Sequence, residues 1–389
     1  MKSTIEDFIH SMKDELIAIS DYIYAHPEPG NEEFLAVEKL TEFLKKHDFQ
    51  IDTGVAGKAT AFHAVYDSGK PGAHVAYLCE YDSLPGIGHG CGHNMIGTMG
   101  AGAGIALSKI ISSTGGKISV FGTPAEETDG AKVDMASQGL FDEVDAAMIL
   151  HPAQSSVKSG KSLAMDALQF SYKGKASHAA AQPEKGINAL DGVLLLFNGI
   201  NALRQHVTSD VRIHGIITEG GLAANIVPED ATAQFYIRAA TREGLDAVVE
   251  KVMRIAEGAS LMTGATLTVS NYEISYDNLK TNETLSEAFT KNLLAAGESV
   301  VLSPEKGSGS LDMGNVSYRA PAIHPYIGFG APNAIAHTVD FAKATITDAG
   351  HDALIRGIKA LSYTGYDLLT DKALLEAVRQ EFLESSKVK

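Results

Sequence analysis

The chain of 389 residues has no tryptophan and only two cysteines, Cys79 and Cys91. Two thiols cannot form the disulfide framework that small secreted scaffolds depend on, and a reducing, cytoplasmic setting is the expectation. Basic charge is also scarce. Lys and Arg total 32 against 48 Asp and Glu, giving a net charge of −16, and the chain has no long basic cluster. That balance argues against nucleic acid or an anionic membrane surface as partner, and for a substrate that is small or at least not polyanionic. No uninterrupted apolar run of about 18 residues marks a membrane span. Residues 1–17 carry Asp or Glu every few positions, so no signal peptide is expected there. Against these absences stands a hydrophobic content of 44%, which suits ordinary globular folding, in a chain long enough for two domains.

Apolar periodicity gives a coarse architecture. Phe34, Val37, Leu40 and Leu44 recur at helical spacing, with Asn31 as N-cap and Glu32 and Glu33 in the first turn. Segments 59–66, 73–79, 117–122 and 146–150 are short and apolar and alternate with helical stretches, as strands of a largely buried sheet do. The pattern then changes. Strands over 168–173, 211–218, 231–238 and 265–272, with helices over 188–205 and 243–257, follow the β-α-β-β-α-β order of a ferredoxin-like sandwich. The reading is therefore an α/β protein whose first domain, residues 1–165 and 277–389, is interrupted by a second, residues 166–276.

The chemistry concentrates in one stretch. In Gly88-His89-Gly90-Cys91-Gly92-His93-Asn94, a thiol and an imidazole lie close together in a glycine-rich turn and can face one metal ion. Glu126-Glu127, His151 and His337 follow, each soon after a predicted strand or in a polar loop. Thiolate, imidazole and carboxylate are the donors that zinc prefers, and one acid is left over for proton transfer. Open α/β sheets gather such residues at the carboxyl ends of their strands. The Gly/Ala-rich run 97–104 lacks the Lys-Ser/Thr pair of a phosphate loop and reads as a tightly packed helix.

These and further motifs carry a resemblance over almost the whole chain. They are His26-Pro27-Glu28, Glu80-Tyr81-Asp82-Ser83-Leu84-Pro85, residues 89–94, Pro124-Ala125-Glu126-Glu127, His151-Pro152, residues 174–179, Asn225-Ile226-Val227-Pro228, Arg238 and Ala336-His337-Thr338. In this order and spacing the chain resembles the aminoacylase and carboxypeptidase-G metallopeptidase family. Within it, the chain is similar to the amidohydrolase branch of hippurate, auxin-conjugate and aminobenzoyl-glutamate hydrolases and HmrA-like proteins. The resemblance implies a catalytic domain with a mixed sheet flanked by helices, and an inserted ferredoxin-like dimerisation or lid domain. It also implies two divalent ions per subunit, zinc first, with manganese, cobalt or nickel able to use the same donors. Cys91 would bridge them, with His93, Glu127, His151 and His337 as the remaining ligands. Glu126 would be the general base toward a metal-bridging water, and Asp82 the acid that orients a ligand. His178 would reach the site of a partner subunit and stabilise the oxyanion, and Asn225 and Arg238 would bind substrate. One departure stands out. The carboxypeptidase branch has a ligating His two residues before the Asp, and here that position is Glu80.

Plainer roles exist for each residue. Glu126-Glu127 also suit a solvated helix start, Asn225 a turn before Pro228, Arg238 a strand surface, and His178 an ordinary loop. His26, His89 and Cys79 read as structural or as supports behind the ligating residues, and the glycines at 220–221 and 307–309 as closure points or simple turns. The expectation is a metal-dependent amidohydrolase, homodimeric or larger, that cleaves the amide of an N-acyl amino acid or a dipeptide. A peptidase for longer peptides and a non-catalytic metal-dependent binding protein are the alternatives.

Overall fold

The computed structural model describes residues 1–304, 309–331 and 333–387. Gly307 and Ser308 of the predicted glycine turn lie outside them. Among the described residues the strands are β1 (Gln50–Thr53), β2 (Phe62–Asp67), β3 (His74–Cys79), β4 (Lys117–Gly122), β5 (Ala146–Met148), β6 (His151–Ala153), β7 (Ala164–Lys173), β8 (Arg212–Glu219), β9 (Asp230–Ala239), β10 (Thr266–Asn271), β11 (Ala322–Ile323) and β12 (Tyr326–Gly328). The chain divides into two compact units. One is built from Met1–Lys161 and from the chain beyond Leu279, the other from Ser162–Asn278, to which Ser310 also belongs.

In the first unit the sheet order is β1-β2-β4-β3-β5-β11. Strands β4, β3, β5 and β11 run parallel, while β1 and β2 are antiparallel additions at one edge, so the sheet is mixed. Val75, Ala76, Tyr77 and Leu78 of β3 are all buried, as are Ile118, Ser119, Val120 and Phe121 of β4. A strand covered on both faces cannot alternate, which is why these segments read as continuous apolar runs. A small second ladder pairs β6 with β12 in parallel, opposing His151 to Tyr326.

Helix His93–Thr114 packs on β3 and β4 and is buried along almost its whole length. Its glycines allow a close approach: a methyl group at Gly100 would stand 2.6 Å from Cys79 Sγ and 2.8 Å from the Leu78 carbonyl oxygen. Seated this way, the helix begins at His93, beside the carboxyl end of β3 from which Glu80 and Asp82 emerge. The same helix is long and apolar enough to cross a membrane by length and composition, which the search for an unbroken apolar run misses. Of its most apolar window, 89% is buried against the rest of the unit.

One local expectation fails. Helix Phe34–Lys46 forms, but Asn31 is not its cap; it sits at φ 66° and its amide donates to Asp129. The orphan N–H groups of Leu35 and Ala36 are taken instead by the carboxylate of Glu28, at 2.9 and 3.0 Å. Glu33, read as an acid of the first turn, is fully buried and accepts from Thr60 Oγ1 at 2.7 Å and from the Ala125 backbone N–H at 2.8 Å.

In the second unit β10-β7-β9-β8 form an antiparallel sheet, with helices Ala189–Leu203 and Arg242–Thr263 following β7 and β9. This is the ferredoxin-like order. Along β9 every second residue, Ala231, Ala233, Phe235, Ile237 and Ala239, is buried in the core beneath those helices. Asn188 and Thr241 cap the two helices with their side chains, and Arg242 forms a two-pronged pair with Asp166 at 2.8 Å per contact.

Candidate active site

The predicted ligands meet in the first unit around Glu127 and His93. Cys91 Sγ donates to Glu127 Oε1 at 2.5 Å, and His337 Nε2 lies 3.6 Å from that oxygen. His337 is brought there by its own backbone, whose N–H donates to Gly90 O at 2.9 Å. His93 donates from Nδ1 to the Asp82 carbonyl and to Asp82 Oδ1, at 3.0 and 2.9 Å, so that Nε2 is the nitrogen that carries a lone pair once the ring is neutral. That nitrogen is buried without a hydrogen-bond partner, 4.0 Å from Glu127 Oε1 and 3.5 Å from Glu80 Oε2. The His151 ring stands 5.9 Å from that of His93, edge to face, with Nδ1 directed to the Pro152 carbonyl at 2.7 Å.

Local backbone explains the convergence. Gly92 has φ 75°, and a methyl group there would run into Pro152, so only glycine both turns the chain and lets the His151-Pro152 strand close over it. Ala125 holds the left-handed region too, at φ 58°, although it is not glycine. The buried Glu33 carboxylate fixes its N–H, and the turn presents Glu126 and Glu127 in succession. The Glu127 N–H then donates to Asp82 Oδ2 at 3.1 Å.

Four residues that the sequence reading did not place in the site complete its surroundings. Lys132, fully buried, donates to Glu80 Oε1 at 2.6 Å and to Asp312 Oδ1 at 2.7 Å. The His324 ring packs 5.6 Å from His151 and 5.1 Å from Tyr326. Glu80 entered that reading only as the absence of a histidine. A signal existed for it, since it follows β3 directly and lies two residues before Asp82. None existed for Lys132, because a buried lysine is rare and nothing local to residues 131–137 announces its partners.

The electrostatics ask for cations. Burial pushes the Cys91 thiol up, and the carboxylate of Glu127 pushes it further. Glu126 is held well above the usual carboxylate range by burial and by repulsion from Glu80, Asp312 and Glu127. Burial pulls His93 down, but Asp82, Glu80 and Glu126 outweigh it and raise it to about 10. Burial, with His324 and His93 nearby, drops His151 to about 3, keeping its imidazole neutral as ligation requires. A divalent ion would reverse the penalty on a Cys91 thiolate and neutralise the clustered acids. Two triads meet the distance requirement: Glu80, His93 and His151, and Cys91, His93 and Glu127, each with one donor atom per residue and all within 4.8 Å of one another. The donor set fits a metal centre.

The predicted substrate residues lie in the second unit. His178 and Asn225 are exposed neighbours there, joined by a hydrogen bond from the Ala179 N–H to the Asn225 carbonyl at 3.0 Å. His178 Nδ1 accepts from the Ala180 and Ala181 N–H groups at 3.2 Å each, so in the neutral ring Nε2 carries the proton. Arg238 lies on β9, donating to Ser310 Oγ at 2.9 Å and standing over the Tyr236 ring.

A mixed sheet with acids and imidazoles gathered beyond its strand ends, interrupted by a ferredoxin-like unit, suits a metal-dependent hydrolase. Residues 70–363 match Peptidase family M20/M25/M40, and the chain belongs to that family of hydrolytic enzymes. It is 36% identical to the Xaa-Arg dipeptidase of Mus musculus over 399 residues, spanning 98% of this chain and 92% of that protein. It is 29% identical to a p-aminobenzoyl-glutamate hydrolase polypeptide of Escherichia coli over 453 residues, spanning 97% of this chain and 94% of that one. Among solved structures, an aminohydrolase from methicillin-resistant Staphylococcus aureus superposes with a TM-score of 0.81 at 20% identity, covering 95% of this chain and 100% of that one. A dinuclear metal-binding peptidase from Bacillus subtilis superposes at 0.66 and 18% identity, covering 90% and 98%.

Proposed function

We propose that the protein hydrolyses the amide bond of a dipeptide or a small N-acyl amino acid, with two divalent ions, zinc first, held by Cys91, His93, Glu127, His151 and His337. The observation that carries this reading is the Glu126-Glu127 turn. Glu127 faces the thiol of Cys91 and the ring of His337, while its neighbour Glu126 has a raised proton affinity. When bound, the ions supply Lewis acidity that polarises the scissile carbonyl and lowers the pKa of water. Glu126 takes the proton of the attacking water and returns it to the departing amine. Asp82 keeps His93 Nε2 aimed at the centre and holds the backbone of Glu127 in place. His178, with Nδ1 occupied by backbone N–H groups, offers Nε2–H to the oxyanion of a neighbouring subunit. Asn225 beside it and Arg238 contact the substrate, the guanidinium suiting a carboxylate.

The names of the relatives guide the choice of substrate. One is called a dipeptidase for Xaa-Arg and the other a p-aminobenzoyl-glutamate hydrolase, so dipeptides ending in arginine and aroyl-glutamates are the first compounds to assay. A dimer is supported by the apolar edge of the second unit, where Ile216, Ile217 and Leu222 are exposed at 63%, 40% and 93%. A reducing compartment suits the free thiol of Cys91.

The decisive test is Glu126→Gln in metal-loaded protein against that panel. Turnover should fall by at least about 100-fold while ion content and substrate binding stay as in wild type. Undiminished turnover would remove Glu126 from the reaction. Mixing Glu126→Gln with His178→Ala protein tests the shared site: partial recovery of activity in the mixture is expected, and none would place His178 in its own subunit or outside catalysis.

A further inference from the structure

Glu80 stands where the carboxypeptidase branch keeps a ligating histidine, and its geometry is that of a donor with an unfilled role. Its side chain is buried, 2% exposed, and its two oxygens have different surroundings. Oε1 is bound by the Lys132 ammonium at 2.6 Å, whereas Oε2 is buried with no hydrogen-bond partner and lies 3.5 Å from His93 Nε2, which also lacks one. Without an ion the two face each other across 3.5 Å as a buried charge pair that makes no hydrogen bond, and a cation shared between them would take the place of the ring proton.

The count of lone pairs sharpens this. Both candidate triads include His93, yet Asp82 occupies its Nδ1, and the single Nε2 can ligate one ion only. Cys91 and Glu127 have a second imidazole at hand, since His337 Nε2 is 3.6 Å from Glu127 Oε1. Without His93, Glu80 and His151 would have at most a bridging Cys91 sulfur as a third donor. The allocation that leaves neither ion short without such a bridge gives Cys91, Glu127 and His337 to one site and Glu80, His93 and His151 to the other.

We propose that Glu80 is itself a metal ligand, through Oε2, in a site completed by His93 and His151, with Lys132 fixing Oε1 as its counter-charge. Lys132 in turn is anchored by Asp312 Oδ1 at 2.7 Å, so the Glu80 carboxylate is held in one orientation and its single negative charge is partly balanced. The consequence is a centre that keeps two sites of unequal character. One contains a thiolate, and the other contains only carboxylate and imidazole donors and suits harder ions such as manganese. This inference rests on the proposed reading of Cys91, His93 and Glu127 as ligands.

The test is a count of ions, independent of turnover. Chelator-stripped protein is titrated with Co²⁺, bound ion is counted by equilibrium dialysis, and the near-ultraviolet thiolate-to-cobalt absorption reports the Cys91 site separately. Wild type should bind two ions. Glu80→Gln should bind one with the thiolate absorption kept, and Glu80→His should regain the second. Wild-type stoichiometry and affinity in Glu80→Gln would overturn the proposal, reducing Glu80 to a partner for Lys132. So would a wild type that binds one ion at the thiolate site only. Loss of the thiolate absorption in wild type would instead overturn the ligand reading on which the proposal stands. Because Glu80→Gln leaves Lys132 with less charge compensation and could fail to fold, wild-type crystals grown with Co²⁺ give the second measurement. Anomalous density at Glu80 Oε2 supports the proposal, and density confined to Cys91 and Glu127 rejects it.

Discussion

The Glu127 backbone N–H donates to Asp82 Oδ2 at 3.1 Å, and the other oxygen of the same carboxylate holds His93 Nδ1 at 2.9 Å. One acid thus fixes the orientation of two proposed ligands. Asp82→Asn keeps the shape but faces two N–H donors with one carbonyl, so one of them loses its acceptor. Metal affinity should fall by about 10- to 100-fold, read by competition with a chromogenic chelator. An affinity equal to wild type would show that His93 and Glu127 are held by other contacts.

Gly92→Ala should be more damaging than its size suggests. The position is left-handed at φ 75° and a side chain would collide with Pro152. The backbone term alone is about 1–2 kcal/mol, and relief of the collision must shift either the Cys91 loop or the strand that begins at His151. The expected result is a lower melting temperature together with reduced ion content. A variant that melts lower but binds ions as wild type does would mean that the loop absorbs the change without moving its ligands.

Glu33 separates charge from hydrogen bonding. Burial raises its proton affinity, and its value to the fold lies in accepting from Ala125 N–H and Thr60 Oγ1. Glu33→Gln can still accept from the Ala125 N–H while the Thr60 hydroxyl turns to accept from the amide, so stability at neutral pH should be unchanged or slightly higher. Glu33→Ala leaves a buried N–H and a hydroxyl without partners, costing about 1–3 kcal/mol for each group. It should also lower turnover by loosening the turn that carries Glu126. Denaturant titration of both variants distinguishes the two effects; equal losses would tie the role to charge.

Acid sensitivity has an identifiable source away from the site. Burial, aided by Lys117 and His74, depresses His63 to about 4, and burial lowers His74 as well. Both rings share the Ser119 hydroxyl, at 2.9 and 2.7 Å. Between about pH 6.5, where an unfolded histidine titrates, and pH 4, the unfolded chain binds protons that the native one refuses. Stability therefore falls as pH drops through that window and is unaffected by these groups above it. Thermal melts across pH 4–7 should show this slope, and His63→Gln should reduce it, the remainder coming from His74 and from other buried histidines such as His89 and His151.

Much of this was legible in the chain. Strands β3 and β4 announce themselves because a doubly covered strand is apolar throughout, and β9 because one of its faces is not. The candidate ligands stand out because thiol, imidazole and acid residues follow strands. What is hidden depends on distant partners. Glu28 replaces Asn31 as the helix cap because its carboxylate reaches back from outside the helix, seven and eight residues away. Lys132 has meaning only beside Glu80 and Asp312, which are 52 and 180 positions away along the chain. A spacing rule sees neighbours on one element and is blind to such pairs. His324 escapes for the same reason, since its place beside His151 is set by the parallel pairing of β12 with β6.

That pairing has a consequence for how the molecule comes into being. Residues 80–151, which carry most of the ligands, leave the ribosome early, and the whole second unit is then synthesised before β11 and β12 arrive to join β5 and β6. His337 comes later still, delivered to the carbonyl of Gly90. The chain therefore lacks part of its proposed ligand set until nearly nine-tenths of it has been made. The stretch from β11 to His337 is thus not an appendix but the part that completes the proposed metal centre.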